Sequence, residues 1–257
     1  MTIRVGIVGF GSMGSWHAEQ VRKQPGFALH SVYDSTPARR EAAKKLGRVN
    51  VYGDLKSFLT DGQLDVAVVA TPSHAHTGPA IAALDAGKHV IVEKPMCTSA
   101  QDAQRMIEAA RRNRCVLSVF QNRRWDESFR TTHKVVESGR LGSIYDIRCV
   151  SWGYTRLMLT YGVKEFRPQW RSEARYGGGV LFDFGAHSLD QLLVLCPQKI
   201  VDVYGDLRGR RWTEDADDQF LATVRFEDGV VAHIEYSQNA MVDYEATWLI
   251  NGAKAGY

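Results

Sequence analysis

The sequence predicts an α/β chain in two parts: a doubly wound parallel sheet, then an α+β unit on a largely antiparallel sheet. Three observations carry that reading. Apolar runs of strand length alternate with helical patterns through the first half, the rhythm of repeated strand–helix units with right-handed crossovers. From about Ser143 the runs lengthen and alternate with period two, as in SIYDIRCVSWGY and QFLATVRF. The 257 residues give room for one large domain or two ordinary ones.

IRVGIVG (3–9) is apolar enough for a strand covered on both faces, and a helix follows from about Ser12 to Gln24. ALHSVYD (28–34) is the second strand, after which Pro37 opens a helix through Ala42, Ala43 and Leu46. LDVAVVAT (64–71) is again buried on both faces; Pro79 sits near the start of a helix ending at Gly87, and KHVIVE (88–93) is the next strand. Thr98 is the expected N-cap of a helix that places Ala103, Met106, Ile107 and Ala110 on one face. CVLSVFQ (115–121) closes the first part, residues 1–121, and a helix from Glu127 to Ser138 leads into the second, 122–257. There KIVDVYGDLRG, QFLATVRF and VVAHIEYSQ are strands, EDG at 227–229 makes a hairpin of the last two, and one helix runs from about Val180 to Cys196.

Composition narrows the function. A net charge of +3, with no basic run longer than RGRR at 208–211, argues against a nucleic-acid partner. No apolar run approaches the ~20 residues of a membrane helix, and MTIRVGIVGFG reads straight into a strand with no expected leader. Four scattered cysteines (Cys97, Cys115, Cys149, Cys196) lack the pairing of a zinc or dithiol site, which fits a reducing cytoplasm and no metal.

Gly9-Phe10-Gly11-Ser12-Met13-Gly14 follows a strand and opens a helix. In such a turn the first glycine permits the bend, the second admits a pyrophosphate, and the third lets helix and strand pack closely. Asp34 ends the second strand 20 residues after Gly14, where a carboxylate accepts from the adenosine ribose hydroxyls. It can also cap the helix behind Ser35-Thr36-Pro37. Its charge disfavours a 2'-phosphate, so NAD is expected over NADP. Arg39 and Arg40 weaken that inference, although a solvated helix face is the preferred reading for both. In an open parallel sheet, ligands meet the carboxyl ends of the strands. That gathers Thr71-Pro72, Glu93-Lys94-Pro95 and Gln121-Asn122-Arg123-Arg124 around one crevice. Lys94 is placed to polarise a hydroxyl or carbonyl oxygen, or is simply a solvated lysine at a strand end. In GGGVLFDFGAHSLDQLLVL (177–195), Asp183, His187 and Asp190 share one helical face. The carboxylate can orient the imidazole and raise its basicity; the plainer alternative is a charge near a helix start and a satisfied core histidine.

VGIVGFGSMG, AGKHVIVEKP and GGGVLFDFGAHSLD, in that order, resemble the Gfo/Idh/MocA oxidoreductases, and QNRRWD with the later DADDQF resembles a branch of inositol and sugar dehydrogenases. The resemblance implies a Rossmann domain followed by an open-faced sheet domain for substrate binding and oligomerisation. It implies catalytic roles for Lys94, Asp183 and His187 acting in one site, a cis Lys94–Pro95 peptide, and a cleft-lining role for His76, with His74 a less regular counterpart. The substrate implied is a sugar, inositol or polyol, whose oxygen Lys94 also binds together with Asp183 and His187. Arg124 is a further substrate candidate. The aromatic and arginine-rich segment 152–176 either shapes the pocket, with Trp170, Arg171 and Tyr176 as candidates, or forms a subunit contact. A nucleotide-binding sensor without turnover, or a glycoside-cleaving enzyme using NAD transiently, are the competing functions. One face of the second sheet has its own helices and the other needs cover, so a homodimer or higher homo-oligomer is expected. Members of the family continue past the hairpin that INGAKAG begins, so the second part is expected to be short relative to them.

Overall fold

The computed structural model describes residues 2–155, 170–213 and 215–257. They group into two compact units, one of residues 2–120 with 175–177, the other of 121–155, 170–174 and 178–257. Residues 156–169, within the segment expected to shape a pocket, lie outside the described residues.

In the first unit, strands β1 (Ile3–Val8), β2 (Phe27–Tyr33), β3 (Asn50–Tyr52), β4 (Val66–Val69), β5 (His89–Val92) and β6 (Leu117–Val119) form one parallel sheet in the order β3-β2-β1-β4-β5-β6. Helices α1 (Ser12–Lys23), α2 (Pro37–Lys44), α3 (Leu55–Leu59), α4 (Thr77–Asp85) and α5 (Ala100–Asn113) cover it. Ile7 and Val32 pack with Phe10 on one face, while Val8 and Val69 pack with Phe58, Leu84 and Met106 on the other. Cover on both faces is why these strands read as unbroken apolar runs. The order reverses between β1 and β4, which opens a crevice at the strands' carboxyl ends. Two details differ from expectation. β3 and α3 are too short to leave a periodic signal. Ser99, not Thr98, caps α5: its Oγ accepts from the Asp102 amide at 3.1 Å, with extended backbone at the cap.

In the second unit, β7 (Ile144–Tyr154), β8 (Ile200–Arg208), β9 (Gln219–Phe226), β10 (Val231–Ser237) and β11 (Asn239–Gly252) are ordered β11-β7-β10-β9-β8, antiparallel except for the β7–β10 pair. Alternate residues Phe220, Ala222, Val224 and Phe226 of β9 face a core completed by Phe129 of α6 (Glu127–Glu137) and by Leu192 and Leu195 of α7 (Ala186–Leu195). The hairpin at EDG closes as read, with Gly229 at φ 90° and its amide on the Phe226 carbonyl at 3.0 Å. The single helix expected over 180–196 is instead a π-helical turn, Leu181–Gly185, running into α7. No helix among the described residues is long and apolar enough to cross a membrane.

Asp218, 0% exposed, anchors the loop between β8 and β9. It accepts from the amides of Arg210 (3.0 Å), Arg211 (2.7 Å) and Trp212 (2.8 Å) and from Asn239 Nδ2 (2.7 Å). Stranding buried donors costs ~1–3 kcal/mol each. Asp218→Ala is therefore expected to lower stability by about 3 kcal/mol or more in a urea titration, and Asp218→Asn, which keeps an acceptor oxygen, by clearly less. Equal losses for the two variants would show that the side chain's volume, not its acceptors, holds the loop.

Candidate functional site

The turn from β1 into α1 gives each glycine a separate task. Gly9 has φ 91°, and a Cβ there would lie 3.0 Å from the Ala70 carbonyl oxygen. A Cβ on Gly14 would reach 1.9 Å from the Gly9 carbonyl oxygen, so only glycine lets α1 sit this close to β1. At Gly11 a Cβ would meet nothing within 4 Å, which leaves backbone open to an incoming phosphate. Ser12 is exposed and Met13 half-buried at the first turn of α1, the end of a helix whose dipole favours anions. Asp34 Oδ2 accepts from the Phe10 amide at 2.7 Å and Oδ1 from the Thr36 amide at 2.7 Å. These bonds aim the carboxylate and leave lone pairs for ribose hydroxyls. The turn thus fits a dinucleotide.

Arg39 and Arg40 are not a solvated helix face. Arg39 Nε donates to the Phe10 carbonyl at 2.6 Å and Nη2 to Ser15 Oγ at 3.3 Å. Arg40 Nη1 donates to the carbonyls of Asp34 (2.9 Å) and the exposed Ser35 (2.8 Å). Both guanidiniums brace the turn around Asp34.

The exits of β4 and β5 lie on the same edge of the sheet. Thr71 Oγ1 donates to the Ala75 carbonyl at 2.9 Å and Pro72 leads into a 3-10 turn at Ser73–Ala75. His76, 1% exposed, puts Nδ1 2.8 Å from the Pro95 carbonyl and Nε2 2.8 Å from that of Thr71. Burial holds its pKa below the ordinary imidazole range, and the neutral ring has one N–H, which donates to one of these two carbonyls. It sits between the turns that follow β4 and β5. The Lys94–Pro95 peptide is cis, as the resemblance implied. Lys94 is half-buried, whereas Glu93 is 5% exposed and accepts from His17 at 2.7 Å and from the Lys94 amide at 3.1 Å. His17 was not singled out by the sequence reading; its signal was a polar residue beside Gly14 and Ala18 on the buried side of α1. In the same unit Tyr176 lies against His74, ring centroids 4.9 Å apart. Burial lowers the His74 pKa.

In the second unit a run of glycines sets up the π-helical turn. A Cβ on Gly178 would stand 2.4 Å from the Arg171 carbonyl oxygen; one on Gly179, at φ 106°, would stand 2.0 Å from Asp217 Oδ1. Asp217 Oδ2 accepts from the Leu181 amide at 2.8 Å, and Asp215 Oδ1 from the Ala174 amide at 2.7 Å, so DADD scaffolds this region. Burial pushes the Asp217 pKa up. Asp183 is held within 3.6 Å of Arg171 Nε, and the Arg171 guanidinium stacks 4.3 Å from the Trp170 ring. His187, 7% exposed, is the second residue of α7, two after the end of the π-helical turn. That turn bonds i to i+5 through the Leu181 carbonyl, so the spacing from Asp183 to His187 is not that of a plain α-helix. Arg124 makes two contacts with Asp190, at 2.6 and 2.5 Å. Gln191 Nε2 donates to the Arg123 carbonyl at 2.7 Å, so the residues expected after β6 are tied to α7 within the second unit. Arg124 thus has a fixed carboxylate partner where the sequence suggested a substrate contact. Among the described residues, no group of three or more His, Cys, Asp and Glu could hold a metal ion.

Comparison with known proteins matches residues 3–121 to the oxidoreductase family with an NAD-binding Rossmann fold, and residues 129–257 to the Gfo/Idh/MocA C-terminal domain. The chain is 27% identical to myo-inositol 2-dehydrogenase of Thermotoga maritima over 98% of its own length and 73% of that protein. It is 32% identical to the scyllo-inositol 2-dehydrogenase (NADP(+)) IolW of Bacillus subtilis over 76% of its length, spanning about half (52%) of that relative. A crystal structure of an NAD-binding protein from Listeria innocua superposes with a TM-score of 0.88 at 31% identity, covering 100% of this chain and 72% of the other. The chain belongs to the Gfo/Idh/MocA oxidoreductase family, and its first unit is that family's NAD-binding Rossmann fold.

Proposed function

We propose that this oxidoreductase oxidises a secondary alcohol of a sugar, inositol or related polyol, with Lys94, Asp183 and His187 acting on one substrate hydroxyl. The observation that carries the reading is Lys94 at the carboxyl end of β5, on the sheet edge where the Gly9–Gly14 turn and Asp34 are built for a dinucleotide. Two inositol dehydrogenases among the relatives support the substrate class. Bound NAD supplies the hydride acceptor. The Lys94 ammonium polarises the oxygen, and His187 takes the hydroxyl proton as the carbon gives up its hydride. Asp183 assists His187 electrostatically while Arg171 keeps the carboxylate in place. A positioned base of this kind contributes ~10²–10⁴ in rate.

His187→Ala is expected to keep NADH binding within about twofold by fluorescence titration while kcat falls by ~10²-fold or more, the loss being smallest at high pH where hydroxide substitutes in part. Lys94→Ala is expected to lower kcat and raise KM for the polyol together, because its charge meets the oxygen in ground and transition states. The assay is nicotinamide reduction across a panel of sugars and inositols. No reduction with any of them would sink the dehydrogenase reading.

NAD is proposed over NADP because Asp34 presents a charge to the ribose while Arg39 and Arg40 are engaged on the turn itself. Asp34→Ala is expected to erode the preference, read as the ratio of kcat/KM for the two cofactors. Tighter binding of NADP by the unmodified protein would reverse the assignment.

A homodimer or higher homo-oligomer is proposed from the face of the second sheet that, among the described residues, lies away from α6 and α7. Trp152 (40% exposed), Tyr204 (61%), Tyr244 (45%) and Leu249 (37%) lie there, opposite the face that packs on α6 and α7 among the described residues. Light scattering at micromolar concentration is expected to give a multiple of the 28.8 kDa chain mass, and Tyr204→Arg to lower it. A monodisperse monomer would count against the interface.

A further inference from the structure

A buried polar pair that the proposed chemistry leaves unused joins α1 to the turn after β5. His17 Nε2 lies 2.7 Å from Glu93 Oε1, with each side chain 7% exposed. An ionised carboxylate only accepts, so the His17 ring carries a hydrogen on Nε2 and donates it. The other carboxylate oxygen accepts from the Lys94 amide at 3.1 Å. Glu93 is itself registered to β4 by its amide on the Val69 carbonyl at 2.9 Å. The His17 ring is clamped edge-on against Phe120 (4.6 Å) and Trp16 (5.1 Å), which fixes the direction of its donor.

Apolar residues of similar volume would fill this space without desolvating a carboxylate, so the pair is a costly way to pack. What it adds is direction. Two hydrogen bonds orient the carboxylate, and the carboxylate orients the backbone amide of Lys94. On the far side of the same turn, the buried His76 ring packs with Nδ1 2.8 Å from the Pro95 carbonyl. The lysine therefore stands on backbone held from both ends, and one hold comes from the helix that opens at the dinucleotide turn.

We propose that His17 and Glu93 are positioning residues that set where the Lys94 amine stands relative to the cofactor turn. The proposal rests on Lys94 being the lysine that meets substrate, and misplacement of such a group by ~1 Å costs on the order of a hundredfold in rate. The test compares His17→Leu, which breaks the strut, with His17→Gln, whose amide reaches the position of Nε2 and restores a donor to Glu93. The first readout needs no turnover: acetylation of Lys94 by an acylating reagent, scored by peptide mass spectrometry against exposed Lys56 of the same molecules, well below the melting temperature. His17→Leu is expected to change the Lys94-to-Lys56 ratio by about threefold or more, since acylation follows the amine's exposure and free-base fraction, and His17→Gln to return it toward the unmodified value. The second readout is kinetic. With a polyol that the unmodified protein oxidises, kcat of His17→Leu is expected to fall by roughly ten- to a hundredfold while KM for NAD holds within about twofold. Should His17→Leu fail to fold, His17→Asn, which stays polar but falls short of Glu93, takes its place. A folded strut-breaking variant with an unchanged labelling ratio would overturn the proposal, whatever its melting temperature. Full turnover by Lys94→Ala would instead defeat the assignment of the lysine, a result that the labelling ratio does not depend on.

Discussion

Helix α1 lies so close to β1 that one methyl group at position 14 would press to 1.9 Å from the Gly9 carbonyl oxygen. Much of the first unit's polar architecture follows from that approach. It brings the Phe10 amide to Asp34, and so points the carboxylate at the end of β2 across the turn. It also carries His17, one helical turn further on, down to Glu93 at the end of β5. A bulkier residue would lift the helix from the sheet and lengthen both bonds together. The glycine spacing thus serves more than the phosphate: it registers two strand ends to one helix.

The second unit uses the same device for a different purpose. Gly178 and Gly179 let the chain pass against the Arg171 carbonyl and the Asp217 carboxylate at distances that no Cβ tolerates. Asp217 then receives the Leu181 amide at the entrance to the π-helical turn, and Arg171 is left beside Asp183. Desolvation pushes the Asp217 pKa up, yet amide donors meet the carboxylate, which is how a buried acid is kept in place. The glycines and the DADD acids are therefore one construction, although about forty residues separate them in the chain.

The sheets were legible because their periodicities are strong. Unbroken apolar runs gave the parallel strands, and alternation gave β9 and β10. The exposed turn at Gly229 was readable for the same local reason: glycine is the residue that takes positive φ without cost. What escaped was set by tertiary contact. β3 and α3 borrow stability from neighbours and carry too few residues to show a period. Ser99 over Thr98 as the cap is decided by one residue of backbone geometry. The π-helical turn is invisible to spacing, since LFDFG is equally apolar in either helix. At the site, the residue types and their strand-end positions were readable, whereas their partners were not. Arg124 reads as a substrate candidate, and its partner Asp190 was not foreseen; Arg39 reads as solvated and is folded onto Phe10.

Those partners separate the polar residues into two kinds. Glu93, His76 and His17 are buried and each is matched by a backbone group or a side chain. Lys94 is half-buried, and its backbone is what those residues hold. A lysine side chain has four rotatable carbons and loses much entropy when it is ordered. Fixing its amide and the following carbonyl removes the backbone share of that uncertainty before any ligand arrives. The two charges at the end of HVIVEKP thus divide the work: the carboxylate is turned inward as support, and the ammonium is carried on the segment that the carboxylate holds.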